Sequence, residues 1–182
     1  DMPDIKVNSS KSRIVKLNQD RLAEILDTND MLSLLQEAAQ LQSYSGLVGL
    51  KLNLDPTLTD VPLITTYPKE QISVHKRYNQ VVYIEFIDDL GEDYKLISRY
   101  GRGYITYKLC YQNKEVNLAA HEYTKDLQDI MFATPDGAML PIIFAEVVQN
   151  KSGERSDYDG LIGLFHALDE AESTLINYIR KT

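Results

Sequence analysis

The chain has 182 residues, 43% of them hydrophobic, and its 27 acidic against 19 basic side chains give a formal net charge of -8. That length supports one sizeable core plus an appendage, and the acidic balance argues against sequence-independent nucleic-acid binding through a basic face. A single cysteine, Cys110, rules out an internal disulfide and fits a reducing compartment, while no run approaches the ~18 apolar residues of a membrane helix.

The start, Asp1-Met2-Pro3, carries no charged-then-apolar leader, and Asp at position 1 reads as trimming or an internal start. Asp1 to Asn18 is polar and mixed. Asp20 is placed to cap a short helix carrying Leu22, Ile25 and Leu26. Thr28, Asn29 or Asp30 then caps a second helix with Met31, Leu34, Leu35, Ala38 and Leu41 on one face, ending near Ser43. Tyr44-Ser45-Gly46 turns into a strand. There Val48, Leu50, Leu52 and Leu54 alternate with Lys51 and Asn53, which predicts the leucines inward and the lysine to water. Leu63 to Tyr67 and Ile72 to Val74 are short extended candidates.

The centre reads as an antiparallel meander. Val81 to Ile87 is followed by an acidic turn, Asp88 to Asp93, then Tyr94 to Tyr100, the turn Gly101-Arg102-Gly103, and Tyr104 to Tyr111. Leu96, Ile105 and Leu109 are expected on the covered face, with Lys95, Arg99 and Lys108 pointing to water. A short strand at Val116-Asn117-Leu118 should follow, then a hairpin of Ile130 to Ala133 with Leu140 to Val148 across Thr134-Pro135-Asp136-Gly137. The predicted core is Leu50, Leu52, Ile84, Phe86, Leu96, Ile105 and Leu109, with the Met31 to Leu41 helix packed on the sheet.

After the polar linker Gln149 to Arg155, Ser156 and Asp159 form a capping-box pattern for a closing helix. Leu161, Leu164, Phe165, Leu168, Ala171, Leu175, Ile176 and Ile179 draw one apolar stripe along it. Acidic residues come early, Arg180 and Lys181 come last, and no glycine or proline closes the helix, which reads as still running at Thr182. The near half, Leu161 to Leu168, is expected to dock on the body. The far half, Leu175, Ile176, Tyr178 and Ile179, is the candidate subunit-contact surface. The fold class is thus α+β, with N-terminal helices packed on an antiparallel β-meander and a C-terminal amphipathic helix; 1–155 forms one domain and 156–182 the helix.

Candidate chemistry is thin. His75, His121 and His166 lack the spacing of a metal or triad signature. Asp88, Asp89, Glu92 and Asp93 lack the alternating ligand spacing of a calcium loop, so a solvated acidic turn is expected there. Cys110 sits mid-strand with no nearby histidine and reads as a small buried side chain. Nothing in the sequence predicts a catalytic residue, a metal or a cofactor.

The order of elements resembles the N-terminal, wing-side part of tailed-bacteriophage portal proteins of long-tailed phages of Gram-positive hosts. The residues that carry the resemblance are Glu37-Ala38-Ala39-Gln40-Leu41, Ser45-Gly46 and the lysine strand Leu50-Lys51-Leu52-Asn53. The meander Val81 to Leu118 comes next, followed by the proline-led segment from Leu140-Pro141 to Gln149-Asn150. Ser156-Asp157-Tyr158, Leu168-Asp169 and Ser173 close the series. The resemblance covers roughly Asp20 to Thr182 through short, degenerate motifs, and the stem helices, clip and crown of a whole portal have no counterpart in it.

The resemblance implies a structural virion protein and no enzyme. In that family, subunits form a ring, usually of twelve, at one capsid vertex. The ring docks the packaging terminase, meets capsid and head-tail adaptor proteins, and lets double-stranded DNA pass without specific binding. The expected location is the virion, and the host cytoplasm during assembly, with no membrane. An adaptor or regulatory α+β domain using its tyrosine-rich sheet is the main alternative; an enzyme with a metal at Asp88, Asp89 and Glu92 is the lesser one.

Overall fold

The computed structural model describes residues 12–55, 58–150 and 153–181, with side chains omitted at 12–17 and at several positions of the last helix. Two helices open it, α1 (Ser12–Thr28) and α2 (Met31–Ser45). Asp20 lies inside α1 and does not start it. At the corner between the helices, Asn29 donates to the carbonyls of Ile25 and Pro62 and accepts from the Ile64 amide. One side chain therefore ties the helix pair to the neighbouring strand. Gly46 ends α2 in the left-handed conformation, φ 80°, its amide bonded to the Gln42 carbonyl. A Cβ there would meet the Glu154 backbone at 2.3 Å, so the glycine serves both the cap and a close approach of chain.

Among the described residues, nine strands follow in two antiparallel sheets. The first takes β1 (Leu47–Asn53) between β2 (Leu63–Pro68) and β9 (Ala145–Gln149). The second runs β3 (Ile72–Arg77), β4 (Gln80–Gly91), β5 (Tyr94–Gly101), β6 (Tyr104–Tyr111) and β7 (Lys114–Val116), with β8 (Ile130–Met131) also pairing β6. The meander is where the hydrophobic pattern put it, and the α+β class with its antiparallel sheets holds. The acidic turn is shorter than predicted. Strand β4 runs on through Asp88 and Asp89 with an irregularity before Gly91, and only Glu92 and Asp93 turn, both with positive φ.

The two sheets face each other, and the core lies between them: Tyr67, Ile84, Phe86, Tyr100 and Ile105 are buried there. Gly49 makes the approach possible, since a Cβ would stand 2.6 Å from Ile72 Cδ1 and 2.8 Å from Phe86 Cε1. The expected orientation of β1 is therefore corrected. Gly49 and Lys51 face the second sheet, whereas Leu50 and Leu52, only half-buried, lie on the alternate face; α2 packs on β1 and β2 and buries Ala38. An apolar α2 stripe gives the leucines a second layer to face, so two-residue alternation alone picks no single inside. Ile84, Phe86, Ile105 and Leu109 are buried as expected, while Leu96 is only half-buried.

Further corrections concern the C-terminal third. Lys114–Val116 forms the strand, and Leu118–Ala120 is a helical turn capped by the Asn117 side chain. The Thr134–Gly137 turn forms, its Gly137 amide bonded to the Thr134 carbonyl. The hairpin holds only next to the turn, where Ala133 bridges Met139 and the Leu140 amide donates to the Phe132 carbonyl; Ala145–Gln149 crosses to the first sheet and pairs with β1. Helix α3 (Ile162–Lys181) starts later than the capping-box pattern predicted, after a short helical turn at Asp159–Leu161. Ser156 instead donates to the Ser43 carbonyl and accepts from the Tyr158 amide. Leu161, Leu164 and Leu168 of the near half are not docked, being 42%, 66% and 64% exposed, and the Phe165 side chain lies outside the described residues.

Candidate functional site

The chemistry of the fold concentrates where β1 crosses β4. Lys51 is 5% exposed, with its Nζ 3.0 Å from Asp88 Oδ2 and 4.5 Å from the centre of the Tyr67 ring. The Tyr67 hydroxyl donates to the other carboxylate oxygen of Asp88 at 2.5 Å. Next to them the Tyr100 hydroxyl donates to the Leu52 carbonyl at 2.9 Å. Burial pushes the Lys51 amine below its ordinary pKa, with Asp88 acting against the shift. The Tyr67 and Tyr100 phenols are pushed well above theirs, first by burial and then by neighbouring groups, Asp88 among them.

Lys51, Tyr67 and Asp88 form part of the wall of an open cleft of about 800 Å³, together with Asn53, Thr65, Ser98, Tyr107 and Asp126. Burial and then Asp129 raise the Tyr107 phenol. Lys51 is held against a carboxylate of which one oxygen takes the ammonium and the other the Tyr67 hydroxyl. The trio acts as a latch between the sheets.

No family model matches this chain, and no curated protein matches it.

The other sequence candidates stand apart. His75 stacks on Tyr83 and approaches Glu85 at 3.4 Å on the outer face of the second sheet, where Arg99 also pairs with Glu85 at 2.7 Å. His121 accepts from the Tyr123 amide, and His166 is exposed on α3. Among the described residues, no three His, Cys, Asp or Glu side chains gather at one point. Asp88 is corrected from solvated turn to latch, while Asp89, Glu92 and Asp93 stay exposed at the far end of the sheet. Cys110, expected as a small buried side chain, is half-buried on the outer face between Lys95 and Glu115.

Of the subunit-contact candidates, Ile176 is 40% exposed, and the side chains of Leu175, Tyr178 and Ile179 lie outside the described residues. Among the described residues no helix is long and apolar enough to cross a membrane. The Lys51–Asp88 partnership was missed because a lysine in an alternating strand reads as its solvent face; glycine two residues before it, on the same side, is the one local sign of close packing.

The latch makes a testable difference between its members. Asp88→Ala leaves a covered ammonium without its counter-ion and is expected to cost about 1.5–3 kcal/mol in urea unfolding. Lys51→Met fills the same volume and leaves Asp88 with the Tyr67 bond and its 27% exposure, so the loss should be smaller. Equal losses, or an Asp88→Ala variant within ~0.5 kcal/mol of the parent, would remove the latch.

Proposed function

We propose that this chain is the wing-side part of a tailed-phage portal protein, a structural component of a ring at the capsid vertex through which DNA is packaged and ejected. The observation that carries the reading is that several residues of the resemblance, Gly46, Lys51, Asn150, Ser156 and Asp157, lie at joints of the fold. Lys51 of the lysine strand makes the latch to Asp88. Gly46 packs on the backbone of Glu154, and the Asn150 amide donates to the Gly46 carbonyl. Ser156 and Asp157 fasten the base of α3 to α2, with the Ser43 hydroxyl donating to Asp157 Oδ2 at 2.6 Å and the Asn150 side chain donating to Oδ1 at 2.9 Å.

Assembly is supported by the uncovered apolar residues of α3, since a helix of this length draws its stability from packing. A subunit neighbour supplies that packing in a ring. The acidic balance supports passage of DNA without counterion-releasing contacts. On this reading the chain has no catalytic role. A protein-binding adaptor is the second reading, favoured by Tyr44, Tyr78 and Tyr123, which are 70%, 87% and 79% exposed.

Negative-stain imaging and mass photometry of the full gene product decide between the two. Closed rings of one rotational order are expected. A folded product that stays monomeric at micromolar concentration overturns the portal reading.

A further inference from the structure

The second sheet is charge-polarised along its strands. The pairing of Gln80 with Arg77, and of Gly101 with Tyr83 and Tyr104, puts the Tyr78-Asn79 turn and the Arg102 turn at one end. The pairing of Gly91 with Tyr94 puts Glu92 and Asp93 at the other. The 12 residues of β4 separate the ends by about 40 Å. One end carries exposed Lys76, Arg77 and Arg102, with no carboxylate from His75 to Gln80; the other carries exposed Asp89, Glu92 and Asp93 against Lys95 and Lys114. In a chain of net charge -8 the basic end is the exception.

Tyr78 makes that end more than a solvated turn. It is 87% exposed at the first position of a two-residue turn, φ 50°, the geometry that Glu92 and Gln112 share in theirs. The Arg77 guanidinium lies 5.4 Å from the centre of its ring. Tyrosine and arginine are the side chains that most often anchor protein contacts.

We propose that the Lys76-Arg77-Tyr78 hairpin tip, with Arg102 beside it, docks on the Asp89-Glu92-Asp93 end of a second copy of this chain. The proposal rests on the ring reading above and names the contact within it. The two patches differ and lie at opposite ends, so the contact is head-to-tail, the kind that closes into rings when its rotation divides a full turn and otherwise runs on as open filaments. Opposite charge steers the approach and fixes the register, and salt weakens it. A basic tip with an aromatic residue also suits nucleic acid, but the complementary acidic end belongs to this same chain, whose overall charge repels phosphate.

The test is mass photometry and negative-stain imaging of the full gene product at about 0.15 M salt, where charges more than ~8 Å apart are screened. Lys76→Glu with Arg77→Glu should reduce the assembled fraction about tenfold, as should Glu92→Lys with Asp93→Lys. All four together should restore it. Rings indifferent to every substitution overturn this contact and leave the portal reading standing. Open chains that obey the charge swap support the contact and remove the ring. Monomers throughout defeat both. A basic-end variant that assembles normally but loses retention of a double-stranded DNA probe assigns the tip to nucleic acid and overturns the proposal.

Discussion

Replacing Phe86 by alanine is expected to cost about 3–5 kcal/mol, the range for removing a fully buried aromatic ring. Phe86 is 0% exposed, with its ring centre 5.0 Å from that of Tyr67 and 5.5 Å, edge-on, from that of Tyr100. The site cannot close over the hole, because the facing residue is Gly49, which has no side chain to move in. The Lys51 ammonium, 5.7 Å from the ring centre, would also lose an aromatic neighbour. Set against a total stability of about 5–15 kcal/mol for a domain, this is a large share. Leu96→Ala is the control, since Leu96 is half-buried on the cleft wall and should cost only about 1 kcal/mol. Urea unfolding of both variants is the measurement, and equal losses would mean that the cleft wall is packed as tightly as the layer between the sheets.

Alkaline unfolding should be steep, and three phenols should drive it. Tyr67 and Tyr100 are 7% and 1% exposed, Tyr107 is half-buried, and all three pKa values lie above the ordinary 10.0 in the fold. Above pH 10.0 the unfolded chain therefore releases these protons while the folded chain keeps them, and stability falls as pH rises. Lys51 works in the other direction. Its pKa is lowered from 10.5, so the unfolded chain holds the proton longer, and stability gains as pH climbs to 10.5 and then no further. Past 10.5 the phenols act without that offset, each contributing about 1.4 kcal/mol per pH unit. Tyr100→Phe should lose about 1 kcal/mol at neutral pH, from its bond to the Leu52 carbonyl, yet shed roughly a third of the alkaline slope. Urea midpoints followed by circular dichroism from about pH 9 to about pH 11.5 read both effects. An unchanged slope in the variant would mean that Tyr100 ionises as freely in the fold as out of it.

What the amino-acid sequence determined by itself was local. The β-branched and aromatic runs from Val81 to Tyr111 form strands whose ends lie within a few residues of their predicted positions, and Gly46 stops α2, because strand preference and turn chemistry act between chain neighbours. The class of fold followed from those pieces. So did Ile84, Phe86, Ile105 and Leu109, which lie on the apolar face of strands flanked by strands.

Only the tertiary structure decided which face of β1 is inside. Leu50 and Leu52 satisfy the alternation rule on either side of the strand; α2 on one face and Phe86 opposite Gly49 on the other put Lys51 in the interior. Asp88 is 37 residues away in sequence, and no local pattern distinguishes a carboxylate that will meet a buried lysine from one that ends a strand in water. The same holds for Ala145–Gln149, which looked like the return of a hairpin and pairs instead with β1. Strand propensity says that a segment is extended, but its partner is set by which edge is left open once the layers have packed. The far ends of the meander carry opposite charge for a similar reason. The basic and acidic turns alternate with the folding back of the chain, and only the antiparallel registers sort them to opposite ends of one sheet.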